Sequence, residues 1–397
     1  MKDLSEALAL VLDGLEPLEG ERAELQAAAG RVLTAPVASA VDLPPFDRSA
    51  MDGFAVRAAD VAVGAPLRVL GDAAAGGPSG GAVDAGTAVR ISTGAEIPRG
   101  ADAVLRVEDA DVSNGSVTPT ADVVAGLHVR FRGEDVHAGD VLAQRGDVLT
   151  LTRLSSLASA GVGEVSVVRR PQLHVVVTGS ELLPAGAPPE PGKIYESNGL
   201  MVRLMAARAG ASVVDHGVVV DDARATRGVL ADGLEGDVLV VSGGVSVGPH
   251  DHVKPVFEAL GVEEVFWRVR IKPGKPLWFG RRGRTLVFGL PGNPLSAIVG
   301  MAVFIQPALR RLAGELEATP VLERGRLAEP AGPSDGRTTF LISRFERADD
   351  GVLVAHPTER QGSHMTGALG SADGFAIAPH GSGPLPAGAE VDLLRLG

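Results

Sequence analysis

The sequence predicts a multidomain subunit of α/β plus β class, with a doubly wound, largely parallel α/β domain, a helical dimerisation region and two small β domains. Three observations carry that expectation. Residues 171–315 alternate short β-branched apolar runs with helical patterns. The stretches on either side are short apolar runs punctuated by glycine and proline. The chain, at 397 residues with 52 glycines, 27 prolines and 4% aromatics, is too long for one ordinary core and must build turn-rich cores from Val, Leu and Ala.

Composition excludes several classes. Hydrophobic content of 45% against 22% charged marks a globular chain rather than a disordered one. A formal charge of −12 argues against nucleic acid or an anionic membrane as main partner. The absence of cysteine removes disulfides, a thiolate nucleophile and zinc–sulfur sites. Met1-Lys2-Asp3-Leu4-Ser5-Glu6 is no signal peptide, and the longest apolar run, Ala297 to Ile305, falls far below the ~18 residues of a membrane span. A cytoplasmic protein is expected.

In chain order, residues 1–40 read as helical. Asp3 and Glu6 have capping-box spacing, and Leu4, Leu8, Val11, Leu12 and Leu15 share one helical face. A second helix is expected over Glu21–Ala29, ending at Gly30. The apolar face suits a core or a dimer surface, and the shortness of the segment favours the dimer. Residues 140–170 turn helical again at Leu151–Ala160, end at Gly161 and continue as a strand at Val165–Val168, so they are grouped with 1–40.

Between them, residues 41–139 form an inserted β-rich domain. It opens on Pro44-Pro45-Phe46-Asp47-Arg48-Ser49-Ala50-Met51-Asp52-Gly53, where two prolines stiffen the entry and Gly53 permits a sharp turn. Asp47 and Asp52 flank Arg48; taken alone, that is a surface loop with a local ion pair. Ser92-Thr93-Gly94-Ala95 ends a strand in hydroxyls and a glycine, and Arg130-Phe131-Arg132-Gly133-Glu134-Asp135 packs both charge signs into one turn.

The α/β domain spans 171–318. Strands are predicted at His174–Thr178, Ala211–Val220, Asp237–Val241 and Thr285–Phe288, and helices at Asn198–Ala209, Asp222–Gly233, His252–Leu260 and Pro294–Arg311. Polar groups gather after each strand: Thr178-Gly179-Ser180-Glu181, Asp221-Asp222, Ser242-Gly243-Gly244-Val245-Ser246-Val247-Gly248, and Pro291-Gly292-Asn293-Pro294. Open α/β sheets bind ligands at that rim, glycines let backbone approach a ligand, and helix starts offer N–H groups to anions. The loop holds neither G-x-G-x-x-G nor a Walker lysine, so it is an anion site of another kind. Asn293 and Pro294 read as N-cap and N1. On a strand, Arg268, Arg270 and Lys272 would share one face. Residues 319–397 return to strands and turns as a small C-terminal β domain, with a polar turn at Gln361-Gly362-Ser363-His364.

Together these stretches resemble the molybdopterin molybdenumtransferases, the MoeA proteins, related to the C-terminal domain of gephyrin. The matching residues are Asp42 to Asp47, Met51 to Gly53, Ser92 to Ala95, Arg132 to Asp135, Thr178 to Leu182, Ser242 to Gly248, Ile271 to Pro276, Leu290 to Pro294 and Gln361 to His364, in family order. The resemblance implies a four-part subunit in an elongated homodimer with the active cleft between subunits. It implies insertion of molybdate into the dithiolene of adenylylated molybdopterin with release of AMP, assisted by Mg²⁺. Carried over by motif position, Asp52, Asp135, Glu181, Asp221 and Asp251 are catalytic, with Asp52, Asp221, Asp251 and Glu181 also as metal ligands. Thr93, Ser242, Gly243, Gly244, Ser246, Gly248, Arg268, Lys272, Lys275, Pro291, Asn293 and Ser363 bind substrate. The adenylyltransferase that makes the substrate and apo-molybdoenzymes are the implied partners. Arg268 stands where lysine is expected, Arg48 replaces an asparagine of some relatives, and Ile342 takes an arginine's place, with Arg344 as stand-in.

The chemistry is consistent with the residues. Molybdate and a pyrophosphate link are anions that need Lys, Arg and helix N-termini, and clustered carboxylates would repel them unless a hard cation bridges. Two rivals follow from other features. His250-Asp251-His252 on an extended loop could ligate a metal in a phosphohydrolase, and a gephyrin-like scaffold would bind partner peptides instead. A chain beginning almost at its first helix favours a stand-alone enzyme.

Overall fold

The computed structural model describes residues 1–78, 80–220, 222–244 and 252–396. The chain divides into two compact units, one of Arg22–Ala29 with Leu33–Ser166, the other of Met1–Glu21, Gly30–Val32 and the chain from Val167 onward.

The helical expectation for residues 1–40 holds only for α1, Leu4–Leu12. Its capping box is not made: Asp3 accepts from Arg270 at 2.9 Å and Glu6 from Lys2 at 2.6 Å. Ala7 and Val11 are fully buried in the largest core of their unit, so the apolar face is covered within the chain. Arg281 closes the helix, donating from Nη2 to the carbonyls of Leu10, Val11 and Asp13. The second predicted helix is absent. Gly20–Glu24 is a strand and a turn follows to Gly30. A nine-residue helix without an apolar stripe is marginal alone, and the pairing of Arg22 with Glu164 at 2.7 Å favours the extended form. The region grouped as 1–40 with 140–170 therefore holds two short helices among strand pairs rather than a helical domain.

In the first unit, α2, Leu151–Ser159, begins at Thr150, whose hydroxyl accepts the Arg153 N–H, and stops before Gly161 at φ +78°. A six-stranded sheet runs Ala103–Arg106, Gly53–Val56, Thr87–Ile91, Leu67–Ala73, Ser116–Pro119, Ala110–Ser113. Phe54, Val56 and Leu105 are buried on one side of it, Ala55, Val89 and Val104 on the other. Gly53 is dictated by crowding: a Cβ there would lie 2.0 Å from the Leu105 carbonyl oxygen.

In the second unit the sheet order is Ser212–Val219, Gln172–Thr178, Val238–Ser242, Thr285–Leu290, Trp278–Arg282, Glu263–Trp267. The first four are parallel and the last two antiparallel. Helices α3 (Asn198–Arg208), α6 (Pro294–Gly300) and α7 (Gln306–Leu312) cover one face together with α1. Helices α4 (Ala223–Gly233) and α5 (Val253–Ala259) cover the other. This is the predicted doubly wound arrangement, and it explains the unbroken apolar runs: Val238 to Ser242 is buried on both faces. A π-helical turn, Met301–Ile305, joins α6 to α7. Pro294–Leu312 has the length and hydropathy of a membrane span, but 83% of it is buried in this core.

The cationic stretch departs from expectation. Its strand ends at Trp267, and Arg268 takes φ +74°, which breaks the alternation that would have put Arg268, Arg270 and Lys272 on one face. Only Ile271–Lys272 returns to strand geometry, pairing with Thr338 and Thr339. That pair joins a six-stranded C-terminal sheet ordered Ile271–Lys272, Thr338–Arg347, Leu353–Pro357, Glu323–Leu327, Glu390–Arg395, Gly374–Ala378. The last strand pairs back onto Thr338–Arg347, so five of the six strands close into a ring.

At the amino end of the parallel sheet Arg169 grips Asp237 through both guanidinium nitrogens, at 2.6 and 2.7 Å. Burial alone would push the Asp237 carboxyl up, but the Arg169 bonds and the Gln172 N–H outweigh it and hold it below the usual carboxylate range. A depressed carboxylate stabilises fully above its unfolded pKa of about 3.9 and loses that contribution as pH falls through the lower native value. Urea midpoints followed by tryptophan fluorescence should therefore fall below about pH 4, and Asp237→Asn should lower the neutral-pH midpoint while flattening this acid dependence. Gly53→Ala should destabilise the other unit by about 1–3 kcal/mol, read as a lowered thermal midpoint.

Candidate active site

A cavity of about 780 Å³ opens at the carboxyl ends of three parallel strands, Gln172–Thr178, Val238–Ser242 and Thr285–Leu290. The chain leaves Gln172–Thr178 toward one sheet edge and leaves Val238–Ser242 toward the other, so the crevice lies at the topological switch point. Gly243 and Gly244 turn the chain there with φ of +97° and +65°. A Cβ on the first would meet the Thr178 carbonyl oxygen at 2.5 Å, and on the second the Val253 side chain at 2.5 Å. Only glycine fits either position.

One amide ties the rim together. Asn198, the first residue of α3, donates from Nδ2 to Ser242 Oγ and to the Gly292 carbonyl, both at 2.9 Å. It joins a helix start to two strand ends and is 7% exposed. Among the described residues its Oδ1 has no partner, and neither does Oγ1 of Thr178, also 7% exposed. Both residues line the cavity. Glu196 lines it too; Oε1 accepts the Gly199 N–H at 2.6 Å. Sequence reasoning passed over Glu196 and Asn198 because Glu-Ser-Asn ahead of a helical pattern reads as an ordinary helix start.

The predicted residues fall out unevenly. Glu181, Ser242, Gly243, Gly244, Pro291 and Asn293 line this cavity. Asn293 stands at the N-cap of α6 without a capping side-chain bond; its amide reaches Ser363 Oγ instead, at 3.1 Å. The bond seats the Gln361–His364 turn at the rim, where His364 and Thr366 also line the cavity. Arg268, Lys272 and Lys275 are not part of its lining, though Pro276 beside them is. Arg268 lies over the Trp267 ring at 4.1 Å, Lys272 is exposed 3.4 Å from Asp335, and Lys275 is exposed with no carboxylate partner among the described residues. Ile342 is fully buried and its N–H donates to Gln361, whereas Arg344 is exposed on the same strand. Asp221, Ser246, Gly248 and Asp251 lie outside the described residues, as does His250; His252 ends that segment at the N-cap of α5. Among the described residues no three His, Asp or Glu side chains cluster as metal ligands.

Asp52, Thr93 and Asp135 belong to the other unit. Asp52 Oδ1 accepts the Thr93 N–H at 2.7 Å, which joins two of the predicted residues and leaves Oδ2 without a partner among the described residues. The ion pair expected around Arg48 is not made: Asp47 accepts the Arg132 N–H at 2.7 Å. Arg132 turns its guanidinium to Asp42, whose carboxyl is held low by the Ala138 N–H and then by Arg132. Arg48 lies opposite Arg130 across a short antiparallel pair, and both line a 650 Å³ pocket with Glu134 and Asp135.

The chain matches three families in succession: the MoeA N-terminal region (domain I and II) over residues 2–161, a family described as a probable molybdopterin binding domain over 174–311, and the MoeA C-terminal region (domain IV) over 324–396. It is 34% identical over 99% of its length to the molybdopterin molybdenumtransferase of Haemophilus influenzae, covering 98% of that protein. It is equally 34% identical to molybdopterin molybdenumtransferase 2 of Mycobacterium tuberculosis, with both chains covered in full. A molybdopterin biosynthesis MoeA protein of Pyrococcus horikosii has a similar structure, with a TM-score of 0.81 and 31% identity over 99% of this chain and 98% of the other.

A buried hydroxyl without a partner costs about 1–3 kcal/mol. Thr178→Val should therefore raise the urea midpoint of the ligand-free protein by an amount equivalent to about 1 kcal/mol. Substrate affinity should fall in the same variant. A lowered midpoint would show that the hydroxyl is satisfied in the free protein.

Proposed function

This chain belongs to the molybdopterin molybdenumtransferase family and acts in molybdenum cofactor biosynthesis, and from that premise we propose how its residues handle the reaction. Molybdate enters the dithiolene of adenylylated molybdopterin and AMP leaves. The likeness of the chain to its relatives from end to end carries this reading, and the cavity at the switch point supports it.

Arg268, Lys272 and Lys275 neutralise the two oxyanions. Lys272 is held only by an exposed pair with Asp335, and Lys275 by no carboxylate among the described residues, so both can turn to a ligand at little cost. Ser363, seated by Asn293, and the glycine turn at Gly243 and Gly244 supply neutral hydrogen-bonding groups. Asp52 holds the Thr93 turn with one oxygen and keeps the second for the phosphate region. Asp135 and the remaining carboxylates complete the acidic set.

The donor set fits a hard cation. Asp52 Oδ2 and the Glu181 carboxylate have no partners among the described residues, and oxygen ligands of this kind suit Mg²⁺. We assign Glu181, Asp221 and Asp251 to hold it; Asp52, in the other unit, offers a carboxylate oxygen of the same kind. Bound there, Mg²⁺ would offset charge on the cleaved phosphate. The same reading includes the four-part division at 1–40 with 140–170, 41–139, 171–318 and 319–397, a homodimer in the cytoplasm, and hand-over between the adenylyltransferase and apo-molybdoenzymes. No observation favours the phosphohydrolase or the peptide-binding scaffold over this.

The test is to incubate the protein with adenylylated molybdopterin, Mg²⁺ and molybdate, following AMP by chromatography and cofactor by activation of an apo-molybdoenzyme. Lys272→Ala should slow molybdate-dependent turnover by about 10²-fold, and Asp52→Asn should slow AMP release on a similar scale. Chelation should stop the reaction and added Mg²⁺ restore it. Wild-type rates in both variants would rule out these roles.

A further inference from the structure

The described residues lining the main cavity include no lysine or arginine. Its titratable groups among the described residues are Glu181, Tyr195, Glu196 and His364, in a chain whose formal charge is already −12. No basic side chain among the described residues offers an oxyanion a partner inside it, and the cations proposed to bind the oxyanions lie on the Arg268–Lys275 stretch, beyond its described lining. What the cavity presents instead is hydrogen-bond acceptors. Glu196 uses Oε1 for the Gly199 N–H and has no partner for Oε2 among the described residues. Asn198 Oδ1 is an orphan acceptor on a side chain 93% buried by its 7% exposure, and Thr178 Oγ1 is a second unpartnered atom. Buried polar atoms left unpaired at a rim are costly, and a ligand that pairs them recovers that cost on binding.

We infer that this cavity takes the ring system of the substrate, and that Glu196, supported by Asn198 and Thr178, is the residue that selects a 2-amino-4-oxopteridine over other bicyclic heterocycles. A pterin presents adjacent N–H donors at its 2-amino group and N3. A charge-assisted bond from an N–H to a carboxylate oxygen is a strong one, and the free Glu196 oxygen supplies an acceptor for the 2-amino group. The volume of about 780 Å³ accommodates a fused ring system with its substituents. Asn198 contributes by geometry: its two bonds fix the helix start that carries Glu196 against the strand ends. The inference rests on the transferase reading and adds to it the part of the substrate that this cavity recognises.

The bond to the Gly199 N–H is also an ordinary helix-start interaction, so the test must separate recognition from folding. Glu196→Gln keeps an oxygen for that N–H but replaces the second acceptor with an NH₂ donor. Equilibrium dialysis of full-length wild type, Glu196→Gln and Glu196→Asp should use 6-hydroxymethylpterin and 6-hydroxymethyllumazine, which carries an oxygen in place of the 2-amino group. Wild type should prefer the pterin by about tenfold, Glu196→Gln should lose or invert that preference, and Glu196→Asp should retain part of it. A structural role alone would lower affinity for both rings and leave the ratio unmoved, which overturns the inference. So does equal binding of the two rings by a wild type that still releases AMP, and there the transferase reading survives. A wild type that binds neither ring and releases no AMP overturns both.

Discussion

A parallel sheet of Val-rich strands cannot leave either face to water, and most of the site follows from that constraint. Leu173, Val175, Val238 and Val240 pack toward α3, α6 and α7, while Val176, Leu239 and Val241 pack toward α4 and α5. Helices on both faces require crossovers to opposite sheet edges, and two neighbouring strands must send their chains apart. The gap between those departing loops is the cavity. Nothing about its position needs a functional explanation; its contents do.

Those contents are set by hydrogen bonding more than by packing. Asn198 gathers Ser242 and Gly292 to the start of α3, and Asn293 brings Ser363 across from the C-terminal sheet. Each is a side-chain amide where the local sequence would accept a simple cap. These bonds tie the rim together, while Thr178 Oγ1 and Asn198 Oδ1 stay unpaired among the described residues. A protein selected only for stability would replace such groups with apolar ones, so their retention fits a binding role.

Electrostatics separates the work further. A net acidic chain that handles anions must concentrate its cations, and here they follow the break at Arg268 rather than line a strand. Lys272 and Lys275 remain exposed on either side of the Pro273-Gly274 turn, and Arg268 is turned over Trp267. In the other unit, Asp52 and Thr93 are joined by a single hydrogen bond although 41 positions separate them.

Much of this was legible in the residues. Periodicity located the four parallel strands, the helices α3 to α5, and the glycine turn after Val238–Ser242, because burial on two faces and left-handed backbone leave direct marks in composition. Motif order was sufficient to name the family. The failures share a cause: Glu21–Ala29 and the Arg268–Lys272 face were judged from local preference, and a distant partner decided the first and a single backbone angle the second, while Asn293 holds its N-cap position but turns its amide to a distant hydroxyl. Glu164 lies 142 positions from Arg22, and Ser363 lies 70 from Asn293. The sequence by itself determined which segments had to be buried, where the chain had to turn, and which chemistry was in reach. Only the tertiary structure decided which polar atoms found partners and which were left facing the cavity, because that depends on contacts between residues that no local pattern relates.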